Sequence, residues 1–148
     1  MKHLAFLLLS SLVFGCKSHS DYYSQGLVKP NALVVSAHPL ASKVGREVLE
    51  NGGNAVDAAI AVQFALAVVH PSAGNLGGGG FMVVRPADGA APVCIDYRET
   101  APGVMDEHSF DHHDTTLERK AVGVPGTVRG LAAAHAKYGK LSWKDLVM

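Results

Sequence analysis

The sequence has no excess of either charge, little cysteine and few charged residues of any kind. Lys+Arg and Asp+Glu number 13 each, so the formal net charge is zero, and charged residues make up 18% of the chain. A balanced charge argues against an electrostatic nucleic-acid binder, which shows a basic excess on one face. Two cysteines are too few for a disulfide framework or, on their own, for a four-ligand zinc site. The 148 residues suit one domain, and the 16 glycines are numerous.

The first residues have the pattern of an export signal. A positive Lys2 precedes an apolar run that ends at Gly15, and this run is too short to span a bilayer. A small residue directly before Cys16 resembles a bacterial lipobox, although Phe14 is bulky for that pattern. We expect a lipoprotein signal peptide at 1–15, lipidation of Cys16 and a tether at 16–30, which places the protein on the periplasmic side of the bacterial cell envelope. The alternative is a buried N-terminal helix with an incidental cysteine.

The third segment, 31–148, holds the regular structure. An apolar run at 32–36 predicts a strand. Apolar residues at Leu40, Val44 and Val48 then have helical spacing. The following Asn51-Gly52-Gly53 predicts the end of that helix, because glycine accepts the left-handed conformation of a C-cap.

A second helix is predicted directly afterwards, over 55–69. Asn54 is a favourable N-cap, and Asp57 lies in the first turn, where the helix dipole stabilises a negative charge. Only Asp57 and Gln63 are polar in this stretch. A helix that is apolar nearly all round is a buried one, so we expect it at the centre of the core.

A run of four glycines, 77–80, separates this helix from a predicted hairpin with strands at 81–85 and 93–97 and a turn at Asp88-Gly89. Ordering four glycines is entropically costly, which suggests a positive φ or a close backbone approach. A dinucleotide fingerprint needs a strand before the glycines and a helix after them. The order here is helix, glycines, strand, which argues against nucleotide binding and leaves a tight turn packed under the sheet as the simpler interpretation.

The remaining residues predict a polar loop at 99–120 and two more helices. One helix spans 128–138 after Pro125-Gly126-Thr127, and another starts near Trp143, where Ser142 and Asp145 have capping-box spacing. The sequence stops at Met148, in the first turns of that helix. We therefore expect this chain to be a fragment of a longer one.

Residue-level chemistry offers few candidates. Arg98, at the end of the second hairpin strand, could fork onto a substrate carboxylate or form an ion pair with Asp96 or Glu99. His108 and the Asp-His-His-Asp at 111–114 have metal-ligand residue types, but adjacent residues rarely converge on one ion, which favours a solvated loop. No hydrolase triad is legible: Ser72 is outside a nucleophile elbow, and the threonines at 115–116 are an isolated pair.

Four sequence blocks together resemble the N-terminal part of γ-glutamyltransferase, the glutathione hydrolase family. They are GGNAVDAA at 52–59, HPSAGNLGGGGFM at 70–82, DYRETAP at 96–102 and GVPGTV at 123–128. The resemblance covers about 32–147. It implies an α+β fold, an incomplete part of the αββα sandwich of N-terminal-nucleophile hydrolases.

The resemblance also implies an activity. Such enzymes cleave γ-glutamyl amides such as glutathione through an acyl-enzyme on a threonine, whose own α-amine is the base. This threonine begins a small subunit cut from the same precursor, and it is absent here, so the chain alone should be inactive. The chain should also be poorly stable, because half of the sandwich is missing and the apolar helix at 55–69 would lose its cover. Arg98 matches the arginine that binds the substrate α-carboxylate. No catalytic residue, metal or prosthetic group is implied in this chain.

Two other interpretations compete with an enzyme fragment. One is a non-catalytic envelope lipoprotein that keeps part of the fold as a binding module. The other is a His-rich metal carrier, which would lose zinc or copper binding when His112 and His113 are replaced.

Overall fold

Four helices and a two-stranded sheet make up the computed structural model, which describes residues 31–106, 108–109 and 121–148. The elements occur in the order α1 (Pro39–Glu50), α2 (Ala55–Val69), β1 (Phe81–Val84), β2 (Val93–Asp96), α3 (Thr127–Tyr138) and α4 (Trp143–Val147). The predicted signal peptide at 1–15, Cys16 and the tether at 16–30 lie outside the described residues. So do residues 110–120 of the predicted polar loop.

Residues at its two ends determine where α1 starts and stops. His38 is the N-cap, its Nδ1 accepts the Leu40 N–H at 3.2 Å, and Pro39 takes the first helical position. At the other end Gly52 has φ +87°, and its N–H donates to the Leu49 carbonyl while the Gly53 N–H donates to that of Val48. This is the Schellman arrangement, and it confirms the predicted stop at the glycine pair.

The start of α2 is a complete capping box. Asn54 Oδ1 accepts the backbone N–H groups of Val56 at 2.9 Å and Asp57 at 3.0 Å. The Asp57 carboxylate returns the interaction by accepting the Asn54 N–H at 2.9 Å. Both predicted roles are confirmed, and three backbone N–H groups that have no acceptor within the helix are satisfied.

Helix α2 lies in the core, as expected, and it also shows the expected loss of cover. Its first half is enclosed, and Ile60 is completely buried. Its second half is only partly covered by the described residues, and Val68 is 78% exposed. An apolar composition all round shows that a helix can be buried, but the cover must come from neighbouring elements.

The predicted strand at 32–36 is wrong. These residues have no regular secondary structure and pair with no strand in the described chain. Val34 instead packs into the space that Gly45 leaves on α1: a Cβ built on Gly45 would lie 2.7 Å from Val34 Cγ1 and 2.6 Å from Val62 Cγ2. An apolar run without a hydrogen-bonding neighbour does not become a strand.

The predicted hairpin is confirmed. Strands β1 and β2 are antiparallel, with Phe81 opposite Asp96 and Val84 opposite Val93. Inward side chains of the hairpin pack on the core, whereas Phe81 and Val83 are exposed. The hairpin loop is longer than two residues, as expected, and Gly89 in its turn has φ +82°.

The core joins α1, α2, α3 and α4 beneath this sheet. Its buried apolar members are Ala41, Val48, Val56, Ala58, Ile60, Ala61, Tyr97, Leu131, Ala134 and Leu146. Trp143 at the start of α4 packs edge-on against Phe64 and His135, with ring centroids 5.7 and 5.4 Å apart. In the part of the chain described, no helix combines the length and apolar character needed to cross a membrane.

Candidate functional site

Arg98 lies just beyond β2, where the chain turns away from the sheet. The Tyr97 N–H donates to the Gly80 carbonyl at 3.0 Å, which continues the hairpin pairing by one bond. The Arg98 N–H then donates to Asp96 Oδ1 at 3.0 Å. Because side chains alternate along an extended chain, Tyr97 points into the core and Arg98 is exposed.

The Arg98 guanidinium has no ion pair with any described residue. The ion pairs among those residues are Lys43–Glu47 and Arg46–Glu50, both on α1. The alternative of an ion pair with Asp96, Glu99 or another acid is therefore not seen among the described residues, and Asp96 Oδ1 accepts the Arg98 backbone N–H. The five N–H donors of the guanidinium are left for another acceptor.

The glycine segment, defined as residues 77–80, presses on the backbone of Arg98 from one side. A Cβ built on Gly79 would lie 2.6 Å from the Tyr97 carbonyl oxygen and 2.7 Å from Arg98 Cα. A real side chain does not fit at that distance. None of these four glycines has a positive φ. Of the two explanations that the glycine run suggested, close backbone approach is confirmed.

The start of α3 also packs closely against this backbone. A Cβ on Gly126 would collide with the Tyr97 carbonyl oxygen, and one on Gly130 would collide with Tyr97 Cβ. The Gly78 carbonyl accepts the N–H groups of Gly126 at 2.8 Å and Thr127 at 3.1 Å. The glycine segment thus caps α3, which has no side-chain cap of its own.

A side-chain hydrogen bond joins the glycine segment to the start of α3. Thr127 is fully buried, and its hydroxyl donates to Asn75 Oδ1 at 2.7 Å. The same Oδ1 accepts the Gly78 N–H at 3.0 Å. Both polar groups are satisfied without water, which is the usual condition for burying them.

Tyr97 is the anchor beneath Arg98. Its side chain is 9% exposed and belongs to the core cluster. Burial raises the pKa of its hydroxyl above the ordinary value of 10.0, because desolvation disfavours the phenolate. The buried, neutral ring of Tyr97 therefore anchors the chain in the core, while the next residue, Arg98, faces outward.

This arrangement can bind an anion, and the described threonines take part in structural contacts. Among the described threonines, Thr127 is buried and hydrogen-bonded, and Thr100 pairs with Val124 in an isolated bridge. Within residues 31–106, 108–109 and 121–148, no cluster of three His, Cys, Asp or Glu side chains is placed to hold a metal ion. The residues at 111–114 and 115–116 lie outside the described part.

The sequence predicted Arg98 as a site residue, but it did not predict the hydrogen bond between Thr127 and Asn75. Asn75 was visible only as part of the glycine-rich block, and Thr127 only as part of a helix start. The signal that could have found them is the coincidence of two glycine-containing turns, at 77–80 and at Gly126, in one short chain. Nothing in the sequence said that these turns meet.

Comparisons with known proteins agree on one relationship. The profile of the gamma-glutamyltranspeptidase family matches residues 41–148. A glutathione hydrolase proenzyme of Pseudomonas sp. (strain A14) is 48% identical over 124 residues, 79% of this chain and 21% of that protein. Another from Bacillus subtilis (strain 168) is 43% identical over 135 residues, 86% of this chain and 23% of that protein. The chain spans about a fifth of the length of these curated relatives.

A solved structure gives the same result in three dimensions. The crystal structure of Helicobacter pylori gamma-glutamyltranspeptidase is 45% identical, with a TM-score of 0.73, over 83% of this chain and 37% of that one. This likeness confirms the expected fold class, an α+β part of an N-terminal-nucleophile hydrolase sandwich.

Proposed function

The chain belongs to the gamma-glutamyltranspeptidase family, and from that premise we propose that it carries the substrate-carboxylate site of an enzyme that cleaves γ-glutamyl amides such as glutathione. The observation that carries the proposal is the exposed guanidinium of Arg98, which has no ion pair with a described residue and stands on a backbone in close contact with two glycines, Gly79 and Gly126. The substrate α-carboxylate accepts two parallel hydrogen bonds from it. This fork orients the scissile γ-amide toward the nucleophile.

The chemical step needs a threonine supplied by a small subunit of the same precursor. Its hydroxyl oxygen bonds to the γ-carbonyl carbon, its α-amine takes the hydroxyl proton, and the amine of the substrate leaves with a proton. Water or an acceptor amine then opens the resulting ester and regenerates the hydroxyl. The proenzyme names of relatives and their length, roughly four times that of this chain, support this division.

We place the protein on the periplasmic side of the bacterial cell envelope, anchored by a lipid on Cys16. The support is the apolar run that follows Lys2 and ends just before this cysteine. Incorporation of labelled palmitate in the bacterial host tests it. Label should be lost in Cys16→Ser and retained in Cys94→Ser, and label that survives Cys16→Ser would refute the anchor.

The activity is tested with the complete gene product that includes this chain. Purified protein should release aniline from a γ-glutamyl anilide, and mass spectrometry should find the γ-glutamyl group on a threonine after a rapid acid quench. The 148 residues expressed alone are the control and should release none. A complete product that forms no acyl-threonine and releases no aniline would contradict the proposal and favour the non-catalytic binding module.

A further inference from the structure

The hydrogen bond between Thr127 and Asn75 connects two segments that are far apart in sequence but both contact the backbone of Tyr97 and Arg98. The donor is the completely buried Thr127 hydroxyl, and the acceptor, Asn75 Oδ1, is 2.7 Å away and 52 residues earlier. Asn75 Oδ1 also holds the Gly78 N–H at 3.0 Å. One oxygen therefore binds both the glycine segment and the start of α3.

Both segments pack closely against the backbone of 97–99, and we call the two of them together the clamp. A Cβ built on Gly79 would lie 2.6 Å from the Tyr97 carbonyl oxygen and 2.7 Å from Arg98 Cα, and one built on Gly126 would collide with the same carbonyl oxygen. Neither position has room for a methyl group. A change in the spacing of the two segments must therefore shift or release the backbone that carries the Arg98 side chain.

We propose that Thr127 and Asn75 are positioning residues for substrate recognition: their hydrogen bond sets the spacing of this clamp and so aims the Arg98 guanidinium at the substrate α-carboxylate. The inference rests on the proposed function. Neither residue touches substrate. Both act through Arg98, so their loss weakens recognition of the carboxylate and leaves the remainder of the reaction unchanged.

The matched variants are Thr127→Val and Thr127→Ser in the complete protein. Valine keeps the shape of the side chain and removes the donor, whereas serine keeps the donor. Loss of one such hydrogen bond should raise KM for a γ-glutamyl anilide by about fivefold, with kcat changed by less than about twofold. Thr127→Ser should restore KM to within about twofold of the parent value.

A second substrate separates positioning from general damage. The 4-aminobutanoyl anilide is the γ-glutamyl anilide without its α-carboxylate. Thr127→Val should leave turnover of this substrate within about twofold of the parent, because Arg98 has no carboxylate to bind. An equal loss on both substrates, or no loss on either, would overturn the positioning role.

A double-mutant cycle of Thr127→Val with Arg98→Lys also separates a positioning role from general damage, and it needs no second substrate. Once the fork is lost, Thr127→Val should raise KM no further. Independent, multiplying effects of the two substitutions would overturn the inference while leaving the γ-glutamyl activity of the parent intact. A parent protein that cleaves neither anilide would instead refute the proposed function, and this inference with it.

Discussion

The carboxylate of Asp57 accepts the backbone N–H of Lys140 at 3.0 and 3.1 Å, across 83 residues of sequence. It also accepts the Leu141 N–H at 3.3 Å and the Asn54 N–H at 2.9 Å, and it is completely buried. Asn54 adds a bond of 2.6 Å from its Nδ2 to the Tyr138 carbonyl. The residues that cap α2 therefore also fasten the turn between α3 and α4.

Replacing Asp57 should destabilise the protein. Asp57→Asn keeps the size of the side chain but removes the charge and presents an NH₂ group to backbone donors. Hydrogen bonds to a charged group contribute about 1.5–3 kcal/mol each, so we expect a loss of about 2 kcal/mol or more in urea unfolding. Glu50→Gln, at an exposed i,i+4 pair, is the control and should cost less than about 1 kcal/mol. Equal effects of the two substitutions would contradict the fastening role.

Replacing Arg98 should impair substrate binding and spare stability. Arg98→Lys keeps the charge but loses the two-pronged donor set, so KM for a γ-glutamyl anilide should rise by about tenfold to a hundredfold. Arg85→Lys is the control, because Arg85 is exposed at the far end of the same hairpin. Steady-state kinetics on the complete protein measure both. A normal KM in Arg98→Lys would show that Arg98 does not bind the substrate carboxylate.

Two glycines of the glycine segment should respond differently to alanine. Gly79→Ala introduces a Cβ at 2.6 Å from the Tyr97 carbonyl oxygen, whereas a Cβ at Gly77 meets nothing within 4 Å. Overpacking of this kind costs about 1–3 kcal/mol, so Gly79→Ala should lower the urea midpoint and raise KM. Gly77→Ala should change stability by less than about 0.5 kcal/mol. If both variants resemble the parent, the close approach at Gly79 has no energetic importance.

Stability should fall on the alkaline side because of Tyr97. Its folded-state pKa is raised by burial, so between pH 10.0 and that higher value the folded protein holds a proton that the unfolded chain has lost. The contribution is complete below pH 10.0 and is lost as pH rises through the folded-state pKa. Tyr97→Phe keeps the ring without the ionising group, so its urea midpoint should decline less steeply above about pH 10. An identical decline in parent and variant would show that other groups dominate.

Local chemistry made several elements predictable. The ends of α1 and α2 depend on residues within one turn, such as Gly52 with its left-handed backbone and the pair Asn54–Asp57. The hairpin follows from alternating apolar residues around a turn at Asp88-Gly89. These preferences act within a few residues, so helix ends and the hairpin can be predicted without knowledge of the rest of the fold. Recognition of Arg98 came from a different source, the resemblance of whole sequence blocks to a family.

The wrong strand prediction has a physical cause, since strand pairing depends on neighbours that the local sequence does not specify. The apolar stretch at 32–36 has strand composition, but no strand lies beside it among the described residues. The cover of α2 likewise comes from elements distant in sequence, and its second half is only partly covered.

The sequence by itself determined where helices start and stop, the order of helix, glycines and hairpin, and the family. Only the tertiary structure decided that Thr127 hydrogen-bonds to Asn75 and that the Asp57 carboxylate accepts the Lys140 N–H. It also decided that the backbone at Arg98 is in close contact with Gly79 and Gly126. Capping and turn preferences act over a few residues of chain. Contacts between residues 52 and 83 positions apart arise only when the helices pack.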